Sequence, residues 1–125
     1  MKVITLFFLF FFTSQLFAEW KKIGDNSLVT YFVETSMIVP HLEGRRMAKE
    51  LHEFKTPLED GTTSLRIRSE FDCKLKKVRN LTSDKIAGEL GVGKIVSVQD
   101  TPTPWKKLTS DSLRSEILKF VCNIP

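Results

Sequence analysis

Apolar and polar residues alternate with a period of two along much of the chain, which predicts β-strands. The pattern is clearest from Leu65 to Cys73, where the apolar positions and Cys73 share one face and the charged positions share the other. Leu28–Glu34 is rich in β-branched and aromatic residues and is a second predicted strand. We predict that Lys74–Leu81 continues as the next strand, that residues 82–93 form a loop, and that Lys94–Val98 is a strand.

The segment Arg45–Phe54 carries two conflicting patterns. Met47, Leu51 and Phe54 are spaced at i, i+4 and i+7, and many of the residues between them are good helix formers. As a strand, the segment would place Met47 and Leu51 on the same face as Lys49. Local propensity alone therefore favours a helix here.

The C-terminal segment has a helical period without such a conflict. Thr109 or Ser110 is the predicted N-cap, and Asp111 would lie in the first turn, against the positive end of the helix dipole. The apolar stripe of the predicted helix consists of Leu113, Ile117, Phe120 and Val121.

Residues 1–18 have the pattern of a secretory signal peptide. Lys2 gives a positive start, and Val3–Phe12 is apolar except for Thr5. Ten helical residues rise roughly 15 Å, about half of a bilayer core. We therefore predict cleavage after Ala18 and one exported domain over residues 19–125, in the periplasm, at the cell surface or secreted. An uncleaved membrane tether is the alternative, and no transmembrane segment is expected after cleavage.

Export determines how the two cysteines are interpreted. Cys73 and Cys122 would both reach an oxidising compartment, where an even pair favours a disulfide. The bond would close a loop of about 50 residues and join the terminal helix to the strand that ends at Cys73. Because no pair of histidines lies nearby, these cysteines cannot complete a zinc site. We expect no metal and no other cofactor.

Three features resemble catalytic motifs, and none is complete. Gly88–Lys94 matches G-x-x-x-x-G-K, but Ile95 stands where a phosphate loop needs Ser or Thr, so a glycine-rich turn before a strand is predicted. His52 could act as an acid or base, but we predict an exposed strand residue among charges. His41 has no ligand partner at metal-binding spacing, and no serine nucleophile motif occurs. We therefore expect no enzyme.

The charge of the chain is modest, but its distribution is uneven. The chain contains 19 Lys and Arg against 15 Asp and Glu, a net charge of +4 that would fall by one with Lys2. This is too small to argue for nucleic-acid binding. The local basic cluster has two interpretations. It is either a solvated outer face, interleaved with Glu70 and Asp72, or a patch that binds a protein, an acidic glycan or an acidic lipid headgroup. The cluster consists of Arg66, Arg68, Lys74, Lys76 and Lys77, and Arg79 beside it is a candidate structural partner of Asp72 or Glu70.

The order of these landmarks resembles that of the bacterial surface-adhesin protein E family. The resemblance covers nearly the whole exported chain. It rests on the following residues: Trp20, Thr30-Tyr31-Phe32-Val33, Glu70-Phe71-Asp72-Cys73, Arg79, Gly91-Val92-Gly93-Lys94, Trp105 and Phe120-Val121-Cys122.

The resemblance implies an α+β fold, an antiparallel sheet of about six strands with a C-terminal helix packed on it and one disulfide. It also implies that Arg45–Phe54 is a strand. Its functional implication is a secreted, non-enzymatic binding module that adheres to host or matrix proteins. A periplasmic structural or envelope-maintenance protein with a bacterial partner is the alternative, and a small hydrolase with an unrecognised site is a third hypothesis. A homodimer is compatible with either of the first two.

Overall fold

A computed structural model describes residues 19–40 and 42–124 of the chain. The predicted signal peptide and its cleavage site lie outside the described residues. Two one-turn 3₁₀ helices, Thr35–Met37 and Glu89–Gly91, occur between strands. The strands are β1 (Trp20–Asp25), β2 (Val29–Glu34), β3 (Val39–Pro40), β4 (Arg45–Phe54), β5 (Ser64–Asp72), β6 (Lys77–Ala87), β7 (Lys94–Gln99) and β8 (Lys106–Lys107), and the helix is α1 (Leu113–Cys122).

The strands form one antiparallel sheet. Six of them follow the order β1-β2-β4-β5-β6-β7, while the two-residue strands β3 and β8 pair with β4 and β6. The helix α1 follows the last strand and packs against the sheet. The predicted α+β fold, with a sheet of about six strands and a C-terminal helix, is confirmed.

Strand β4 lies in the middle of the sheet, which resolves the conflict at Arg45–Phe54. It pairs with β2 on one edge and with β5 on the other, over nine residue pairs with β5. Backbone hydrogen bonds and side-chain packing from both neighbours outweigh a local preference for helix. The expectation from family resemblance was therefore correct, and the expectation from local propensity was wrong.

The helix covers one face of the sheet, which we call the helix face. Ile117, Leu118 and Val121 of α1 are buried against the sheet. Their partners in the sheet are Val33, Ala48, Phe71 and Val78. Because side chains alternate along a strand, the neighbours of these residues point to the opposite face. We call that opposite face the open face; Met47, Lys49, Arg66 and Arg68 belong to it.

A disulfide joins Cys73 to Cys122, as the sequence predicted. The two Cα atoms are 5.8 Å apart, and 49 positions separate the residues in the chain. Cys73 directly follows β5, and Cys122 is the last residue of α1. The bond therefore fastens the end of the helix to the end of a central strand.

The boundaries of β6 differ from the prediction. The predicted strand Lys74–Leu81 is correct only for residues 77–81, and the predicted loop over residues 82–93 is wrong for residues 82–87, because β6 runs from Lys77 to Ala87. The Asp72 carboxylate accepts hydrogen bonds from the backbone N–H groups of Lys74 and Leu75, at 3.1 and 2.9 Å, which holds residues 73–76 in a turn. The polar sequence after Leu81 still forms a strand because β5 pairs with it as far as Ile86, past a bulge after Arg68.

The helix begins later than predicted. Ser112 is the N-cap, and its hydroxyl accepts a hydrogen bond from the backbone N–H of Ser115 at 3.2 Å. Thr109 and Ser110, the predicted caps, precede it, and the carbonyl of Thr109 instead accepts a hydrogen bond from the backbone N–H of Ser112. Asp111 consequently lies before the helix, and the acidic residue of the first turn is Glu116.

Candidate binding surface

Three basic side chains lie together near the centre of the open face. Lys49 of β4 is the direct cross-strand neighbour of Arg68 of β5, and Arg66 lies two positions along β5 on the same face. They line two adjoining depressions of about 190 and 300 Å³, which share Lys49 and Arg68. We call this pair of depressions the open-face groove.

Chain segments cover the sheet on both sides of the groove. At one end, the 3₁₀ turn Glu89–Gly91 lies over Leu51, and a Cβ atom added to Gly91 would be 3.1 Å from a methyl carbon of Leu51. At the other end, Trp105 packs against two arginines: the guanidinium carbons of Arg45 and Arg79 are 5.1 and 4.7 Å from the centroid of its ring. The groove between these segments is open to solvent.

The three basic residues differ in how their charges are compensated. The guanidinium of Arg66 is 3.0 Å from the Asp84 carboxylate, and the ammonium of Lys49 is 3.9 Å from the Glu34 carboxylate. Arg68 is exposed and makes no hydrogen bond or ion pair with any residue that the structure describes. The positive charge of Arg68 is therefore not neutralised by any residue that the structure describes.

Apolar side chains border this charge. Met37, Val39 and Met47 line the smaller depression together with Lys49 and Arg68. Met37 and Val39 are 44% and 50% exposed, although they are apolar. We call these three residues the apolar shelf. The groove can contact an anionic group and an apolar group at the same time.

The structure divides the predicted basic patch into two groups. Arg66 and Arg68 lie in the open-face groove, whereas Lys74 and Lys76 lie in the turn after β5 and Lys77 begins β6. Lys76 lines a different depression, beside Leu108 and Leu118 of the helix face. The predicted partner role of Arg79 is confirmed for Glu70, since its guanidinium is 2.7 Å from that carboxylate.

Sequence reasoning missed Lys49, the third basic residue of the groove. Its position in a segment with a helical period hid which face it occupies. The strand alternative did place it on the face of Met47, but its cross-strand contact with Arg68 depends on the β4–β5 register, which a single sequence does not specify.

A network of buried polar groups lies on the helix face. Glu50 is fully buried, and its carboxylate is 2.7 Å from a guanidinium nitrogen of Arg114, a residue of α1. Ser69 donates a hydrogen bond to the same carboxylate, and His52 lies 2.9 Å from it. Arg114 also donates a 2.8 Å hydrogen bond to the side-chain oxygen of Asn80. The network ties the helix to three strands.

His52 does not have the exposed position that we predicted. It is 8% exposed, and its ring lies 4.5 Å from that of Tyr31. Even-numbered positions of β4 face the helix, so His52 shares the interior with Ala48 and Glu50. His41, the other histidine, lies outside the described residues.

The electrostatics of the buried network favour a fixed ion pair. Burial opposes ionisation of Glu50, but the positive charge of Arg114 and the hydrogen bond from His52 outweigh it and hold the pKa of this carboxyl well below its usual range. A carboxylate that stays ionised and is held by a guanidinium is poorly suited to accept and return a proton. The network stabilises the position of the helix.

The glycine-rich segment forms the turn that the sequence predicted. Residues Glu89–Gly91 form a 3₁₀ turn, and Lys94 begins β7 rather than a helix. Among residues 19–40 and 42–124, no cluster of three or more His, Cys, Asp and Glu side chains is placed to hold a metal ion. The only α-helix in this part of the chain is not one that could cross a bilayer.

Comparison with known proteins gives one clear result. The family model of surface-adhesin protein E matches residues 20–123. This match begins at β1 and includes the sheet, the helix and both cysteines. No curated protein matches the chain.

Proposed function

Because the chain belongs to the surface-adhesin protein E family, we propose that it is an exported, non-enzymatic binding module whose open face recognises an acidic protein partner. The family match supports an adhesin-like role for an exported or surface protein. The choice of the open face, and of a protein as the partner, is our inference from the side chains described above.

The proposal rests on one observation: the guanidinium of Arg68 has no ion-pair partner among the residues that the structure describes. Removing an arginine from water without a partner is unfavourable, so an exposed arginine beside apolar side chains is well suited to a partner that supplies a carboxylate. On the helix face, α1 covers the centre of the sheet, and the depressions on that side are lined in part by residues of the helix itself. The open face therefore combines accessibility, uncompensated charge and apolar area.

Self-association would use a different part of the sheet. Strand β7 is an edge strand, and five of its six residues are exposed. Ile95 and Val98 on this strand are 50% and 60% exposed. An exposed, β-branched edge can pair with a second copy of the same strand, so we place a homodimer contact at β7. The open-face groove would stay accessible in such a dimer.

Partner capture with charge-reversal variants tests the proposal. The tagged exported protein is incubated with solubilised envelope and with host-matrix proteins, and the bound proteins are identified. We expect Arg68→Glu to reduce capture at least tenfold, because a charge-assisted contact becomes a repulsion. Capture by the wild type should also fall as salt rises.

Two variants serve as matched controls. Lys106→Glu makes the same change of charge at an exposed position of β8, and it should leave capture unchanged. The pair Lys76→Glu and Lys77→Glu tests the other half of the predicted basic patch. Loss of capture in this pair, with full capture by Arg68→Glu, would move the recognition surface to the turn after β5.

Protease treatment of intact cells separates the adhesin from the periplasmic alternative. Digestion of the protein on intact cells supports a role in adhesion. Protection until the outer membrane is opened supports envelope maintenance with a bacterial partner.

A further inference from the structure

We infer that the open-face groove binds an extended peptide segment in which a carboxylate side chain and an apolar side chain are two residues apart. This inference rests on the proposed function, since it specifies what the open face recognises. It is drawn from the charge, the apolar shelf and the strand geometry of the groove.

The charge of the groove suits a single carboxylate. Of its three basic side chains, Lys49 is near Glu34 and Arg66 is paired with Asp84, whereas Arg68 forms no ion pair with any residue that the structure describes. A polysulfated chain gains its affinity from many cations that have no competing anion. Here Asp84 would repel a second sulfate placed beside Arg66. An isolated carboxylate on Arg68 avoids this repulsion.

The size of the apolar shelf suits one side chain. Met37, Val39 and Met47 line a depression of about 190 Å³ that is open to solvent. A long acyl chain needs an enclosed apolar cavity, because each methylene contributes only when it leaves water, about 0.8 kcal/mol per buried CH₂. The shelf covers one face of a leucine or phenylalanine side chain, and methionine side chains adapt to either shape.

The spacing of the two contacts suits an extended backbone. Met47 precedes Lys49 by two residues, and Lys49 is directly opposite Arg68, so Met47 and Arg68 are diagonal neighbours on the sheet. Such neighbours are roughly 7 to 8 Å apart. In an extended peptide, side chains at i and i+2 point to the same side and are roughly 7 Å apart. A carboxylate at one position and an apolar side chain at the other can therefore reach both contacts.

Titration by NMR with defined peptides tests this inference. The exported protein, labelled with ¹⁵N and with ¹³C in its methionine methyl groups, is titrated with a seven-residue peptide. The peptide carries one glutamate and, two positions later, one leucine, in a background of glycine and serine. We expect signals of Lys49, Arg68 and Met47 to shift. The same peptide with glutamine for glutamate, or serine for leucine, should bind at least several-fold more weakly.

Variants assign the two contacts separately. Arg68→Gln should weaken binding about tenfold, as expected for loss of a charge-assisted hydrogen bond, while Lys106→Gln leaves it unchanged. Met37→Ala should weaken it several-fold, whereas Leu75→Ala, at another exposed apolar residue, should have no effect. Equal binding by the glutamate and glutamine peptides would overturn the inference.

Two further probes distinguish the class of ligand from the location of the site. If a heparin hexasaccharide or dodecanoate shifts the open-face signals at lower concentration than the peptide does, the peptide class is wrong and the open face remains the recognition surface. If no probe shifts these signals and Arg68→Glu still captures its partner fully, both this inference and the proposed recognition surface are overturned.

Discussion

At the scale of single residues, the most consequential position is Glu50, a charge in the interior of a small domain. Burying an ion is costly unless its partners replace the lost water, and here Arg114, Ser69 and His52 do so. This pairing could not be predicted from the sequence, because Arg114 is 64 positions away and on a different element. Strand parity could have indicated that Glu50 is internal, but not what compensates its charge.

We predict that Glu50→Gln lowers the free energy of unfolding by about 3 kcal/mol, because it leaves the Arg114 guanidinium facing the interior without a counter-charge. The pKa of Glu50 is lower in the folded protein than in the unfolded chain. Its stabilising contribution is therefore complete above the ordinary pKa of glutamate, about 4.3, and decreases as pH falls below that value. Urea unfolding between pH 7 and pH 3 measures both effects.

The control for this prediction is Glu43→Gln, a substitution at an exposed turn residue. It should change the unfolding free energy by less than about 0.5 kcal/mol at neutral pH. It should also keep the full acid dependence of the wild type, to which Asp25 and Asp60 contribute because the pKa of each is lowered in the folded protein. A Glu50→Gln curve with the same pH dependence as the control would contradict the assignment.

At the scale of elements, regular alternation of apolar and polar residues predicted the strands better than helix propensity did. Strand β5 was predictable because its alternation is regular. The apolar stripe of α1 was predicted in part, since Ile117 and Val121 are buried as expected, but the buried Leu118 was not in the predicted stripe. Strand β4 was locally helical and became a strand because two neighbours pair with it. Strand β6 was misplaced because residues 82–87 are polar. Its pairing with β5 continues past a bulge, and this pairing could not be inferred from the sequence of β6 alone. Ser112 is one of several polar residues before α1, and only its extended backbone makes it the cap.

The disulfide gives a prediction for the contact between α1 and β5. Closing a loop of this length contributes about 4 kcal/mol in the chain-entropy model. We expect the double variant Cys73→Ala and Cys122→Ala to lose about that amount in urea unfolding at neutral pH. A reducing agent should lower the stability of the wild type and leave the double variant unchanged. Two alkylatable thiols in the exported wild-type protein would contradict the bond.

At the scale of the whole molecule, the two faces of the sheet carry different features. The helix face holds the core and the Glu50 network, and the open face holds the groove. The fold class and the disulfide could be predicted from the sequence. The groove could be predicted only in part, since Arg66 and Arg68 were in the candidate set and Lys49 and the apolar shelf were not. Their assembly requires the register of β3, β4 and β5, which is a property of the complete sheet.

The edges of the sheet provide a further prediction for the whole molecule. If β7 carries the homodimer contact, Val98→Lys should shift the protein towards the monomer, because a charge on an exposed edge strand opposes pairing with a second copy. Sedimentation velocity over a range of concentrations measures the shift. Leu28→Lys, at an apolar residue that is 71% exposed in the turn before β2, is the control. A wild type that stays monomeric at every concentration would contradict the β7 contact.

The alternation of side chains along β4 and β5 also has an evolutionary consequence. Lys49 and Arg68 point away from the core, while their chain neighbours Ala48 and Ser69 are buried in it. Substitutions at exposed positions usually change stability by less than about 0.5 kcal/mol. If the open-face groove binds a ligand as we propose, descendants of this chain can therefore exchange Lys49 and Arg68, and with them the preferred ligand, without rebuilding the interior. Selection can act on recognition at one set of positions while selection for folding acts on the positions between them.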